Sequence, residues 1–286
     1  MDSALGISKV QFCPDPAARL LVASTWDGFV KAFRVASLEE VSNVCNYFHE
    51  NPVLCCTFAG SSKIVTGMLD GLVKLYDIES GYEGVIGGHL DCMCRVLSPD
   101  NLAVTGGWDS VVKMWDCRLE MVHRDVGQLQ CSDRVYALDV SGNRAVIATK
   151  DRQVMIYDFR NTSLPLQIRP SPLKYQTRAI KIMPSGQAFA VSSIEGRVAI
   201  SYFDEDPAFQ QNNCEFECHR IKTEKEELIY PVNALAIHLL GLLLREVRME
   251  EYQCGILLVR KHYVSSGNSQ LLLQAYHSVL MVKSWQ

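Results

Sequence analysis

The sequence predicts an all-β protein built from repeated hairpin sheets, and three observations carry that prediction. The first is a recurring stretch in which an acidic bend separates two alternating apolar runs, most fully "GGWDSVVKMWD" from Gly106 to Asp116. The second is its spacing. The bend residues Asp27, Asp70, Asp109, Asp151 and Glu195 follow one another at steps of 43, 39, 42 and 44 residues. The third is the period-two alternation on both sides of each bend, which is that of pleated strands joined by tight-turn chemistry.

A period of about 40 to 45 residues with a Trp-Asp signature is that of a β-propeller of WD40 repeats, each repeat supplying one four-stranded blade. The elements follow in order. "STWDGFVKAFR" from Ser24 places one hairpin around Asp27, "GMLDGLVKLYD" from Gly67 a second around Asp70, and the Gly106 copy a third. "ATKDRQVMIYD" from Ala148 gives the fourth, and the weaker "SSIEGRVAISY" from Ser192 the fifth. Six residues after the acid stand Phe33, Tyr76, Trp115 and Tyr157, a fixed offset that puts them on one face of the outgoing strand.

Two copies carry a further pattern. His89, Thr105, Asp109 and Trp115 lie at offsets 0, 16, 20 and 26, and His49, Thr66, Asp70 and Tyr76 at 0, 17, 21 and 27. These match the His, Ser/Thr, Asp, Trp tetrad of WD40 blades, in which a carboxylate orients an imidazole inside a buried hydrogen-bonded chain. The same pair read as chemistry is half a catalytic triad or a metal site. Its recurrence at blade spacing, without a nucleophile motif such as G-x-S-x-G, makes the tetrads structural and leaves no catalytic residue to name.

Composition narrows the function. A 286-residue chain that is 48% hydrophobic buries a sizeable core, and a net charge of -4 excludes a general nucleic-acid binder. "MDSALGISKV" lacks the basic and apolar regions of a signal peptide, and no apolar run is long enough to span a membrane. Eleven cysteines scattered on apolar runs fit free buried thiols of a reducing compartment, so no disulfide is expected. Cys214, Cys218 and His219 lack zinc-finger spacing, and no P-loop or dinucleotide motif occurs, so neither metal nor cofactor is expected. "KTEKEEL", Lys222 to Leu228, reads as a solvated loop.

Longer words then narrow the family. "SPLKYQTRAIKI" (Ser171 to Ile182), "SSIEGRVAISYFD" (Ser192 to Asp204), "FECHR" (Phe216 to Arg220) and "YPVNALAIH" (Tyr230 to His238) resemble the propellers of the mitotic spindle assembly checkpoint, the third of the budding-uninhibited-by-benzimidazole proteins. The resemblance covers roughly residues 5 to 238. A sister family, the messenger-RNA export propellers that dock on a nucleoporin, shares "EGRVA" and "CHR", whereas "LKYQTR" followed by "YPVN" favours the checkpoint family.

The resemblance implies a seven-bladed, non-enzymatic adaptor. It implies binding to GLEBS peptides of a checkpoint kinase and its kinase-like partner, reading of phosphorylated Met-Glu-Leu-Thr motifs on the kinetochore scaffold, and an indirect link to the ubiquitin ligase machinery. It implies location in the nucleus and at kinetochores, with cytoplasm in interphase, and no nucleic-acid or membrane partner. The residues fit such work. The position before each bend acid, expected on the ligand face, holds Trp26, Leu69, Trp108, Lys150 and Ile194, and the two tryptophans are candidate anchors. Lys174, Tyr175, Arg178, Arg197 and Arg220 stand in the words that carry the likeness, and arginine forks suit carboxylate or phosphate.

The pattern breaks after His238. Residues 239 to 286 contain no Asp and no Pro and show no sustained period. The sequence therefore divides into propeller blades over 1–238 and a divergent C-terminal tail over 239–286 in place of the last blades. The abrupt change in mid-blade is that of alternative splicing or a shifted reading frame, the alternative being a lineage-specific tail that folds as irregular strands or helix on the last blade. The expected propeller is thus incomplete, with about five to six blades, and an unclosed ring exposes sheet edges.

Overall fold

The structure, a computed structural model, describes residues 6–37, 40–91, 93–97, 101–119, 125–218, 220–222, 226–237, 243–247 and 255–257. The fold class is the all-β WD40 β-propeller: five four-stranded antiparallel blades, followed by a three-stranded sheet. The chain forms two compact units, residues 2–168 and the residues from 169 on.

Four blades make up the first unit. They are β1 (Ile7–Phe12) to β4 (Val41–Phe48) with β2 (Leu20–Thr25) and β3 (Phe29–Val35); then β5 (Val53–Ala59), β6 (Lys63–Met68), β7 (Leu72–Asp77) and β8 (Glu83–Gly88). The third holds β9 (Met93–Leu97), β10 (Leu102–Gly107), β11 (Val111–Asp116) and β12 (Asp125–Gln130). The fourth holds β13 (Val135–Ser141), β14 (Arg144–Thr149), β15 (Gln153–Asp158) and β16 (Gln167–Pro170), whose last two residues pass the unit boundary. Strand order within each blade is sequential, and β1, β5, β9 and β13 lie side by side.

Burial explains which strands hold the unit together. The second strand of each blade has both faces covered, so β2 and β14 read as near-continuous apolar runs, "LLVAST" and "RAVIAT". Val22, Val30, Val53, Phe58 and Ile64 form one cluster across the first two blades, and Val104, Val112, Leu129, Val135 and Ile147 another across the third and fourth. Truncating a fully buried side chain such as Leu75 to alanine costs about 2–5 kcal/mol in such a core.

The corners between second and third strands repeat the same left-handed turn. In the first, second and fourth blades the residue after the bend acid donates its N–H back three residues: Gly28 to Thr25, Gly71 to Met68, Arg152 to Thr149. That residue has a left-handed backbone at every corner, with φ of 88° at Gly28, 85° at Gly71, 64° at Ser110, 63° at Arg152 and 66° at Gly196. This is a type I turn closed by a left-handed residue, for which glycine is the unstrained choice. Its carbonyl then accepts from the chain leaving the fourth strand: Gly28 from His49, Gly71 from His89, Ser110 from Cys131, Gly196 from Cys218. The five spaced acids of the sequence therefore mark equivalent corners.

The second unit begins with Arg169, whose guanidinium donates to the carbonyls of Tyr202 (2.8 Å) and Phe203 (3.0 Å) and lies over the ring of Phe189. Its blade consists of β17 (Thr177–Ile182), β18 (Ala188–Ser193), β19 (Arg197–Tyr202) and β20 (Cys214–Glu217). Between β19 and β20 sits one short turn of helix, α1 (Pro207–Gln210), started by Asp206 accepting from the Ala208 N–H and by proline at its first position. A hairpin of β21 (Arg220–Lys222) and β22 (Glu227–Ile229) follows. The expected loop over 222–228 is thus partly strand, because Arg220, Ile221 and Lys222 pair with Ile229, Leu228 and Glu227. The last sheet joins β23 (Val232–Ile237) to β24 (Leu243–Val247) and β25 (Gly255–Leu257), so strand pairing continues past residue 238. Most of the expected tail, including 258–286, lies outside the described residues.

Candidate functional site

In the third blade the four residues of the His-Thr-Asp-Trp pattern form one continuous chain. His89 Nδ1 lies 3.0 and 3.1 Å from the two oxygens of Asp109, and its Nε2 lies 2.8 Å from Thr105 Oγ1. The Trp115 indole N–H donates to the same hydroxyl at 2.9 Å. The chemistry fixes the direction: Nδ1–H donates to the carboxylate, so Nε2 accepts the Thr105 hydroxyl proton and that hydroxyl accepts from Trp115. Burial holds His89 below the ordinary imidazole range, partly offset by Asp109. Burial pushes Asp109 the other way, but the N–H groups of Leu90 and Val111 and the imidazole outweigh it and hold the carboxyl low. Every donor is used inside the blade. The chain therefore clamps the corner that carries Trp108.

The second set behaves differently. His49 is buried, but its Nδ1 faces Lys74 Nζ at 3.2 Å and Glu83 Oε1 at 3.4 Å, while Asp70 accepts from Asn51 at 2.7 Å and from the Leu72 N–H. His49 Nε2 and Thr66 Oγ1 have no hydrogen-bond partner. The physical reason is the fourth residue. Tyr76 has no indole N–H to give Thr66 and stacks on Tyr47 instead, with centroids 4.4 Å apart, while Lys74 and Glu83 draw the imidazole. Spacings that differ by a single residue, at the histidine, thus yield one hydrogen-bonded chain, not two. In the fourth blade, where the histidine is absent, Thr149 Oγ1 donates to Asp151 at 2.5 Å and Ser132 approaches that hydroxyl at 3.3 Å.

Trp26, Leu69, Trp108 and Lys150 occupy the same position at successive corners of the first unit. Their N–H groups repeat one bond to the chain entering the first strand: Trp26 to Gly6, Leu69 to Pro52, Lys150 to Arg134. Trp26 is 45% exposed and Trp108 38%, far from the burial of the core aromatic Trp115. Trp108 is also held from the side, with Arg134 over its ring at 5.2 Å and Tyr136 edge-on at 6.3 Å. Lys150 reaches Asp133 at 4.0 Å. A rigid, half-exposed indole beside a guanidinium is suited to an apolar side chain flanked by a carboxylate.

The remaining candidates fall in the second unit. Lys174 and Tyr175 are exposed in the segment before β17, and Arg178 on β17 donates to Asn233 at 3.2 Å. Ile194, at the corner position, is 38% exposed. Arg197 and Arg220 come together through glutamates. Arg197 donates to Glu215 at 2.5 Å and Glu217 at 2.8 Å, with Glu195 at 3.6 Å. Arg220 binds the Glu195 carboxylate at 3.1 Å and its carbonyl at 3.2 Å, with Glu227 at 3.5 Å and Glu217 at 3.8 Å. Two guanidinium groups therefore face four carboxylates. Arg197 and Arg220, expected from the sequence to pair with a ligand's carboxylate or phosphate, both have internal counter-ions in the structure.

Those glutamates, like Arg134 and Tyr136 beside Trp108, escaped the sequence reading, although a signal was present. "CEFE" alternates, so Glu215 and Glu217 share a face of β20, and antiparallel pairing sets Glu217 directly opposite Arg197. Among the described residues no group of three or more His, Cys, Asp or Glu is placed to hold a metal, and His219 lies outside them. Eight cysteines, Cys56 and Cys131 among them, carry free thiols; burial pushes Cys131 up to about 12 and Cys56 to about 11, which leaves both thiols protonated. No described helix is long and apolar enough to cross a membrane.

Comparison with known proteins adds the relatives. A family model described as "WD domain, G-beta repeat" matches residues 42–77 and 82–116. The chain is similar to the mitotic checkpoint protein bub-3 of Caenorhabditis elegans, 45% identical over 81% of this chain and 68% of the relative. It is similar to the mitotic checkpoint protein bub3 of Dictyostelium discoideum, 38% identical over 82% of this chain and 70% of the relative. It is also similar to the poly(A)+ RNA export protein of Schizosaccharomyces pombe, 30% identical over 81% of this chain and 66% of the relative.

Proposed function

The chain belongs to the Bub3 family of mitotic checkpoint WD40 proteins, and from that premise we propose that it is a non-enzymatic adaptor that binds peptide segments of checkpoint partners. The observation that carries the reading is the 45% identity to a checkpoint relative over 81% of the chain. In this reading residues 1–238 are the propeller part and 239–286 a divergent segment. The protein works in the nucleus and at kinetochores, without cofactor.

The residues have distinct tasks. Trp26 and Trp108, half exposed at rigid corners, take apolar side chains of GLEBS-type peptides from a checkpoint kinase and its kinase-like partner. Arg197 and Arg220, with Lys174, Tyr175 and Arg178 of the segment that leads into and forms β17, meet phosphorylated Met-Glu-Leu-Thr motifs of the kinetochore scaffold, since an arginine fork bonds a phosphate through two parallel N–H groups.

A second reading rests on the 30% identity to a poly(A)+ RNA export protein: docking on a nucleoporin GLEBS segment. Calorimetric affinities for GLEBS peptides from a checkpoint kinase and from a nucleoporin separate the two. The checkpoint reading expects the kinase peptide to bind more tightly; equal or reversed preference defeats it.

A further inference from the structure

We propose that Arg118 and Arg160 form a docking surface for a folded protein partner, at the end of the third and fourth blades opposite Trp108 and Lys150, and donate to main-chain carbonyl oxygens of that partner. The inference goes beyond the peptide-binding reading and does not depend on it.

Two corners of the first unit repeat one construction. The third strand ends in an acid, Asp116 in β11 and Asp158 in β15, and an arginine follows two residues on. The acid accepts the arginine's main-chain N–H at 2.9 Å in both. The guanidinium then turns back on the same carboxylate, Arg118 through Nε at 3.0 Å and Nη2 at 2.7 Å, Arg160 through Nε at 3.0 Å and Nη2. These side-chain bonds, above all, hold both carboxyls down at about 2, so both pairs stay charged at neutral pH.

The turn itself does not call for the arginine. The second blade makes the same bend, with Asp77 accepting the N–H two residues on at 3.0 Å, and there that residue is Glu79. All three bends also tie the intervening residue to the chain entering the second strand: Ile78 to Ser62, Cys117 to Asn101, Phe159 to Asn143. An exposed ion pair adds little stability, and the two arginine side chains are 69% and 75% exposed. The pairing gives orientation instead. A long side chain is held in one place on the surface, so a partner finds it already ordered. Nε and Nη2 are spent on the acid, and planarity turns Nη1 with its two N–H groups the other way.

Surroundings and charge fix the kind of partner. Leu119, directly after Arg118, is 41% exposed, and Leu164 and Leu166, which follow Arg160, are 73% and 57% exposed. Arginine beside open apolar side chains is the composition of a protein interface. Each guanidinium is met by its own acid; Lys63 and Arg144 act on these acids more weakly, and Lys63 spends Nζ on the Cys117 carbonyl at 2.9 Å. A partner's phosphate or carboxylate at Nη1 would stand close to Asp116 or Asp158 and be repelled, whereas a neutral carbonyl oxygen accepts without that cost. β11 runs from the Trp108 corner to Arg118 and β15 from the Lys150 corner to Arg160, six residues or about 20 Å each. A protein docked on the arginines therefore leaves the tryptophan corners open.

The test uses the full chain, tagged, in an extract of dividing cells, with phenylglyoxal as the probe of arginine access. Compared with the same extract cleared of protein, labelling of Arg118 and Arg160 is expected to fall together at least ~5-fold, as for guanidinium groups buried in one interface, and excess GLEBS peptide leaves that protection in place. The protein responsible is recovered on the tagged chain, identified, purified and titrated. Its Kd is expected to rise at least ~10-fold in Arg118→Lys/Arg160→Lys, since lysine keeps the charge and loses the fork. It is expected to change less than ~3-fold between low and high salt, as bonds to neutral acceptors do. The double variant is expected to melt within about 2 °C of the native chain. Protection of one arginine or neither, protection removed by the GLEBS peptide, or a lysine variant that binds like the native chain overturns the inference. So does an affinity that collapses with salt, or a double variant that melts well below the native chain. If the arginines are protected as expected and no GLEBS peptide binds, the functional reading fails and the inference stands.

Discussion

Two threonines at equivalent spacing answer opposite questions, and replacing each by valine tests the hydrogen-bonded chain of the third blade. Thr105 Oγ1 meets His89 Nε2 at 2.8 Å and Trp115 Nε1 at 2.9 Å, and all three side chains are buried. Thr105→Val keeps the shape and strands both ring nitrogens away from water. Each stranded buried group costs about 1–3 kcal/mol, so the loss is about 2–5 kcal/mol, slightly reduced by the gained methyl. Thr66 Oγ1 is equally buried and has no partner, so Thr66→Val removes an unsatisfied hydroxyl and is neutral or stabilising by up to about 1 kcal/mol. Urea unfolding followed by tryptophan fluorescence reads both. With a slope of about 2–3 kcal/mol/M, Thr105→Val moves the midpoint of the transition down by about 1 M or more, and Thr66→Val leaves it in place or raises it. Thr66→Val as damaging as Thr105→Val, or Thr105→Val within about 0.5 kcal/mol of the native chain, refutes the account of the two blades.

Three further outcomes are expected. His49 and His89 are both held low, in each case first by burial, so the unfolded chain binds more protons below the ordinary imidazole value near 6.5. Stability is complete above that pH and lost as the pH falls through the lower folded values; the melting temperature drops from pH 7.5 to 5.5, and His49→Gln reduces the drop. Ser110→Gly and Arg152→Gly, at φ of 64° and 63°, each stabilise by about 0.5–1 kcal/mol in calorimetry. Gly28→Ala does the reverse, because its Cβ would stand 2.1 Å from the His49 carbonyl oxygen. Trp26→Ala leaves the melting temperature within about 1 °C, as an exposed corner should, and weakens a GLEBS peptide at least ~10-fold by calorimetry, as loss of an anchoring tryptophan does.

The sequence makes the fold legible because the repeat is written in backbone terms. An acid followed by Gly, Ser or Arg at the left-handed position recurs at blade spacing, and each bend proves to be the same left-handed corner, four of the five with the same carbonyl contact to the chain leaving the fourth strand. Side-chain networks are less legible, because they depend on what each residue touches and not on where it stands in the repeat. The His49 set has the spacing of the His89 set except that its histidine stands one residue farther back, but Tyr76 in place of an indole, with Lys74 and Glu83 within reach, redirects the imidazole. Arg197 and Arg220 were recognisable as cations, yet their partners lie 18 and 20 residues on for Arg197 and 25 residues back for Arg220, and only strand register brings them together. The exposure of Trp26 and Trp108 was readable from their place before the bend acid; the guanidinium stacked on Trp108 came from the next blade.

The most direct test of the adaptor reading is a calorimetric titration of the native chain with a Met-Glu-Leu-Thr peptide, phosphorylated and unphosphorylated, at near-physiological salt. The account predicts saturable one-to-one binding of the phosphorylated form, at least ~10-fold tighter than the unmodified peptide, with that preference lost in Arg197→Ala. Equal affinity for the two peptides, or a phosphate preference that survives in Arg197→Ala, contradicts it.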